Sequence, residues 1–176
     1  MEKEIVNGYL VTIEQDTDAS SPAENQDKHA FIVTTRNRYF EVVGPNKETA
    51  DTVGDNLEEW EKTHYVYKLY ALIHSGVHLS IGSNLKQYYM GFDSGQIGFL
   101  LVTRDESEIP YPESYAKGMV EEWNQYLSGD VWGYTIEDGE EHNVDSCWGF
   151  YGFDYCKKEA VDIAQRLQAP EVPYEE

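Results

Sequence analysis

The run HYVYKLYALIHSGVHLSIG, residues 64–82, sets β-branched and aromatic residues on both sides of Ser75-Gly76. Such side chains favour a pleated backbone, and a Ser-Gly pair has the chemistry of a tight turn. The run is therefore expected to form two strands joined by a hairpin, which makes an antiparallel sheet the starting point for the fold. GQIGFLLVTRD, residues 95–105, supplies a further strand after a polar connection.

Toward the N-terminus, EIVNGYLVTIEQD (4–16) alternates around Asn7-Gly8, a strong two-residue hairpin signal. Residues 16–27, DTDASSPAENQD, have the composition of a loop. HAFIVTTRNRYFEVVG (29–44) is expected as another hairpin, turning at Arg36-Asn37. After Pro45, Ala50, Val53, Leu57 and Trp60 recur at helical spacing. Gly54 sits inside that helix at a cost near 1 kcal/mol.

Toward the C-terminus, Tyr115, Met119, Trp123 and Tyr126 share one face of a helix that Gly129 is placed to end. That helix should turn Glu113, Glu121 and Glu122 to water. A strand, DVWGYTIED (130–138), and a turn at Asp138-Gly139 follow. Asp154 is positioned to cap a last helix running through Leu167 and ended by Pro170. Strand runs followed by separated helices predict an α+β fold: one domain, a mostly antiparallel sheet, about three helices and an acidic tail at 170–176.

Charge is the outlying property. Thirty-three acids against thirteen bases leave a formal −20 and a pI near 4.4 in 176 residues. Such a field repels nucleic acid and anionic membrane and attracts basic proteins or cations. Spread evenly over a surface of about 8,800 Å², it is one charge per roughly 440 Å², against roughly 100 Å² on a DNA duplex. Resemblance to DNA thus requires clustering, and the sequence clusters: twelve acids and one base, Lys117, fall in residues 105–145. A solubilising acidic surface is the plain alternative. Two cysteines in a chain this long make no disulfide framework. The opening MEKEIVNGYL lacks the features of a signal peptide, and no apolar run reaches membrane length. The expected location is the cytoplasm.

Catalytic signals are weak throughout. His74 and His78 in HSGVH have i,i+4 spacing, yet Gly76 and the β-branched neighbours favour a hairpin, and the glutamate of a zinc-protease motif is absent. Cys147 and Cys156, eight residues apart in DSCWGFYGFDYC, match no paired zinc knuckle, and nearby carboxylates oppose a thiolate. Both cysteines are expected as buried small apolar side chains. Asp93-Ser94-Gly95-Gln96 lacks the flanking glycines of a hydrolase elbow. No phosphate-binding glycine loop and no basic stripe occurs, so no cofactor, metal or direct nucleic-acid contact is expected.

Three segments, IHSGVHLSIG (73–82), FDSGQIGFLLVT (92–103) and SGDVWGYTIED with DSCWGFYG (128–152), together resemble a group of small acidic proteins carried by bacteriophages and integrative elements. That group is expected to carry a W-D-S-G-Q-V-G-like run, and here Phe92 stands in the Trp position. The resemblance spans about residues 65–160 and implies an accessory gene of a mobile element, a setting in which antagonists of host defence are common. Charge and resemblance together lead to the expectation of a non-enzymatic, DNA-mimicking inhibitor of a CRISPR effector or restriction nuclease. Its expected contact face comprises Asp105, Glu106, Glu108, Glu113, Glu121, Glu122, Asp130, Glu137, Asp138, Glu140, Glu141 and Asp145, with Trp132 and Tyr134. The rival expectation is a protein that sequesters a signalling nucleotide in an aromatic pocket of Trp132, Trp148 and Tyr151, aided by Arg36 and Arg38.

Overall fold

Two four-stranded antiparallel sheets and four helices organise the chain, an α+β fold. The structure is a computed structural model that describes residues 1–82 and 94–174, Ser94 by its backbone alone. By contacts the chain divides into two compact units, Met1–Ser20 with Gly129–Glu176 and Ser21–Ser128.

In the first unit β1 (Glu2–Val6), β2 (Tyr9–Gln15), β7 (Val131–Glu137) and β8 (Asn143–Tyr151) lie in that order. Helix α4 (Phe153–Arg166) covers one face, where Val11, Ile13, Tyr134 and Ile136 meet Cys156, Ala160 and Ala164. Small residues on the helix let it approach the sheet closely. The β1–β2 turn is the expected Asn7-Gly8 pair, with φ of 53° and 82°, both left-handed as a two-residue hairpin demands. Asn7 has a second function: its Nδ2 donates to the carbonyls of Ala164 (3.2 Å) and Leu167 (2.8 Å), closing the C-terminus of α4. The segment after α4 then runs back across both hairpin turns. The Tyr174 N–H donates to the Gly8 carbonyl (2.8 Å) and the Gly139 N–H to the Val172 carbonyl (3.0 Å).

The second unit holds β3 (Ala30–Thr34), β6 (Ser94–Thr103), β4 (His64–Ile73) and β5 (Val77–Ile81), in the order β3-β6-β4-β5. The hairpin foreseen at Ser75-Gly76 is present, with Leu79 opposite Ala71. Both faces of this sheet are covered. Ala30, Ile32, Leu100 and Val102 face α3 (Pro112–Ser128), whereas Phe31, Val33, Phe99 and Leu101 face α1 (Ala50–Gly54) and α2 (Leu57–Thr63). A strand buried on both sides carries a continuous apolar run, which is why FLLV shows no alternation.

The two edges of this sheet are closed by single side chains. On β3, Gln26 Oε1 accepts from the Ile32 N–H (2.8 Å) and its Nε2 approaches the Ile32 carbonyl (3.5 Å). On β5, Asn124 Oδ1 accepts from the Leu79 N–H (2.7 Å) and its Nδ2 donates to the Leu79 carbonyl (3.0 Å). Each carboxamide supplies the donor and acceptor that a further strand would have supplied.

Several expectations are corrected here. The hairpin at Arg36-Asn37 does not form: β3 is a strand, but its return limb touches it only around Thr34, whose N–H donates to the Val42 carbonyl (2.9 Å). Gln26 already holds the Ile32 backbone that a second strand would need. The helix expected over 50–60 is two helices, broken at Asp55-Asn56, with Asn56 at φ −128° starting the second. Asp154 lies in the first turn of α4 and the N-cap is Gly152, at φ 90°. On α3 the buried residues are Ala116 and Trp123, while Tyr115 is exposed and Glu122 is half-buried. Cys147 is exposed on edge strand β8; Cys156 alone is buried.

Replacing Asn124 or Gln26 by Leu leaves a backbone pair unsatisfied. Each substitution is expected to lower stability by about 1–3 kcal/mol in urea titration, with faster amide exchange at Leu79 or Ile32 respectively. Unchanged stability and exchange would show that these edges do not need their caps.

Candidate functional site

The acids of residues 105–145 are distributed over both units. In the second unit Asp105, Glu106 and Glu108 lie exposed on the loop before α3, and Glu113 and Glu121 are exposed on α3 itself. Asp105 accepts from the Ser107 hydroxyl (2.6 Å) and N–H (3.0 Å), bonds that hold its carboxyl below the ordinary range. Glu113 pairs with Lys117 (2.8 Å), and that lysine lowers its pKa. Among the described residues it is the one acid of this group paired with a lysine or arginine. Glu122 differs from the rest. It is half-buried, and burial raises its pKa.

In the first unit the acids gather on the β7–β8 hairpin. Glu137 ends β7; Asp138 shapes the turn, its Oδ1 accepting from the N–H groups of Glu140 (2.9 Å) and His142 (3.0 Å). Glu140 and the left-handed Glu141 (φ 61°) project at the tip. His142 Nδ1 comes to 3.3 Å from Asp138 Oδ2 and 3.6 Å from Glu140 Oε2. The ligand atoms of Asp138, Glu140 and His142 all lie within 4.8 Å of one another, a grouping the sequence reading did not single out. Asp130 accepts from Trp132 Nε1 (2.6 Å), and Asp145 from the Tyr134 hydroxyl (3.1 Å).

The aromatic residues assigned to the contact face are placed differently from expectation. Tyr134 is 2% exposed, its ring under α4 and its hydroxyl pKa raised by burial and by Asp145. It cannot meet a partner. Trp132 is half-buried on the same face, edge-on to Phe153 at 4.9 Å between centroids. Trp148 lies over Gly133, at which an added Cβ would fall 2.2 Å from the indole. Alternation along β7 therefore sets Trp132 and Trp148 on opposite faces of the sheet, and the three-ring pocket of the rival expectation is not assembled. Arg38 stacks on Tyr39, 4.7 Å from its centroid.

Burial pushes the Cys156 thiol up to about 11, away from a nucleophilic thiolate. His74 and His78 sit on the β4–β5 hairpin, not on a helix, which removes the i,i+4 metal geometry. Phe92 and Asp93 lie outside the described residues, as does the polar connection before them. Glu175 and Glu176 of the acidic tail are likewise outside them. Among the described residues no helix is long and apolar enough to cross a membrane. Cavities formed by described residues beside α3 include ones of about 500, 480 and 240 Å³. The two larger ones are open clefts, and the smallest contains Glu122.

Comparison with protein-family models, with curated proteins and with solved structures gives no match to this chain.

Two outcomes test this geometry. Gly133→Ala should displace the Trp148 indole, giving red-shifted, more readily quenched fluorescence and a loss of about 1–3 kcal/mol; an unchanged spectrum would contradict the packing. In a carboxyl-detected NMR titration Asp138 should titrate below its ordinary value of 3.8, because the His142 N–H, and with it that of Glu140, favours the charged form. A depressed carboxyl stabilises above its unfolded pKa and loses that contribution as pH falls through the folded value. The hairpin should therefore loosen only in acid, and a midpoint at or above 3.8 would refute the arrangement.

Proposed function

We propose that this chain is a non-enzymatic inhibitor from a bacteriophage or mobile element, which sets its carboxylates against the basic nucleic-acid groove of a host defence nuclease. A CRISPR effector is favoured over a restriction nuclease. The supporting observation is where the charge falls. The unit made of Met1–Ser20 and Gly129–Glu176 has seventeen acids and four bases, a formal −13, leaving −7 for Ser21–Ser128. Thirteen charges are what a DNA duplex carries over about 22 Å of its axis.

That charge is little compensated. Among the described residues of this unit, Lys157 pairs with Glu2 and Glu4, and Lys158 with Glu159 and Asp162. Among the described residues, no lysine or arginine pairs with an acid of the β7–β8 hairpin. The Gly139–Val172 hydrogen bond places exposed Glu171 one residue from the same turn, so the hairpin and the following segment form one acidic surface. Long-range attraction would speed encounter with a cationic groove, and salt would weaken it. With Tyr134 buried and Trp132 packed against Phe153, exposed rings of this unit that remain for short-range contact include Trp148, 46% exposed, and Tyr155, 56% exposed.

The test is a triple reversal, Glu140→Lys, Glu141→Lys and Glu171→Lys, at exposed positions with no packing role. Each reversal adds two charges, taking this unit from −13 to −7. In cells carrying a nuclease-based defence, the unmodified protein should restore establishment of a targeted plasmid. The triple variant should lose on the order of tenfold or more of that effect. Equal protection by a folded triple variant would contradict the proposal.

A further inference from the structure

Glu122 lies in the cavity of about 240 Å³ that α3 forms with the short 3-10 turn Pro22–Asn25 and the start of β3. Its other lining residues include Asn25, Gln26, Tyr115, Met119 and Trp123, so the walls are aromatic, aliphatic or neutral amide. Among the described residues no hydrogen bond or ion pair reaches the Glu122 carboxylate. Gln26, which also lines the cavity, turns its amide to the Ile32 backbone. Burial has accordingly raised the pKa of Glu122, the mark of a carboxylate without a counter-charge. A half-desolvated anion of this kind gains most from a cation delivered to it.

We propose that this cavity binds the head of an organic cation, an alkylammonium or alkylguanidinium group, with Glu122 as counter-ion and Tyr115 as its aromatic wall. The size favours a side chain or a small amine, since the volume is below the roughly 300–1,000 Å³ of sites that hold drug-sized ligands. Trp123 is 2% exposed and held between Phe40, stacked at 6.1 Å, and Tyr126, edge-on at 6.0 Å. Trp123 therefore fixes the lining, and Tyr115, 49% exposed, is the ring accessible to a planar guanidinium or the stem of an amine. The same chemistry can come from a free amine or from an arginine or lysine of a partner protein. The inference rests on the cavity and not on the proposed function.

The experiment is an NMR titration of the full chain, observing the Trp123 indole N–H and the Met119 methyl. Four probes are used: n-butylguanidinium, its neutral isostere N-butylurea, n-butylammonium and the peptide Gly-Arg-Gly. At least one of the three cations should give saturable shifts at both resonances while N-butylurea does not. Glu122→Gln, which keeps the shape and removes the charge, should weaken that binding by tenfold or more. Glu122→Asp, which keeps the charge, should retain saturable binding. Saturation by the peptide but not by the small cations identifies a protein side chain as the source, and the reverse pattern identifies a free amine. The proposal is overturned if no cation saturates, if N-butylurea binds as well as n-butylguanidinium, or if the folded Glu122→Gln protein binds with unchanged affinity.

Discussion

An open sheet edge must satisfy its backbone or recruit another chain, and in residues 21–128 two carboxamides meet that constraint. Gln26 pairs with Ile32 on β3 and Asn124 with Leu79 on β5, each answering an N–H and a carbonyl of one residue. Because the caps come from the segment before β3 and from α3, they also fix where those elements sit. The position of α3 sets the exposed row of Glu113 and Glu121 and the half-buried placement of Glu122. Gln26 closes an edge and lines the Glu122 cavity at once. Edge closure and the Glu122 cavity thus share one side chain.

In the other unit a comparable economy holds the acidic hairpin. Asn7 forms the β1–β2 turn and closes α4, and the segment after α4 returns to bond Gly8 and Gly139. The β7–β8 turn is shaped from within by Asp138, whose carboxylate is consumed by two backbone N–H groups. Its neighbours Glu140 and Glu141 carry no such duty and stand exposed. Within one loop, therefore, one acid has a structural role and two are available for an external cation. Lys157 of this unit is engaged by Glu2 and Glu4 on β1.

Local chemistry made much of this fold legible. Asn7-Gly8, Ser75-Gly76 and Asp138-Gly139 each turn a hairpin where their composition places one, and Gly129, at φ 75°, ends α3. What escaped the sequence were effects of residues distant along the chain. Nothing in RYFEVV discloses that Gln26 has taken the β3 edge and denied it a partner strand. Helical spacing assigned Tyr115 to the buried face, but the sheet selects Ala116 and Trp123, because a helix packed closely on strands presents a small residue at the contact. Tyr134 belongs to the core because its strand register directs it under α4, whereas composition alone made it a plausible contact ring. The acids themselves were plain in the sequence; their division between units, and the solitary state of Glu122, were not.

In the function proposed for this chain, the exposed carboxylates occupy a site built for phosphates. The most direct measurement is an equilibrium competition between this protein and a duplex DNA for a purified candidate defence nuclease, repeated across a range of salt concentrations. Mutually exclusive binding is the predicted result, with the affinity of the protein falling steadily as salt rises. A ternary complex of nuclease, DNA and this protein, formed with salt-insensitive affinity, would contradict it.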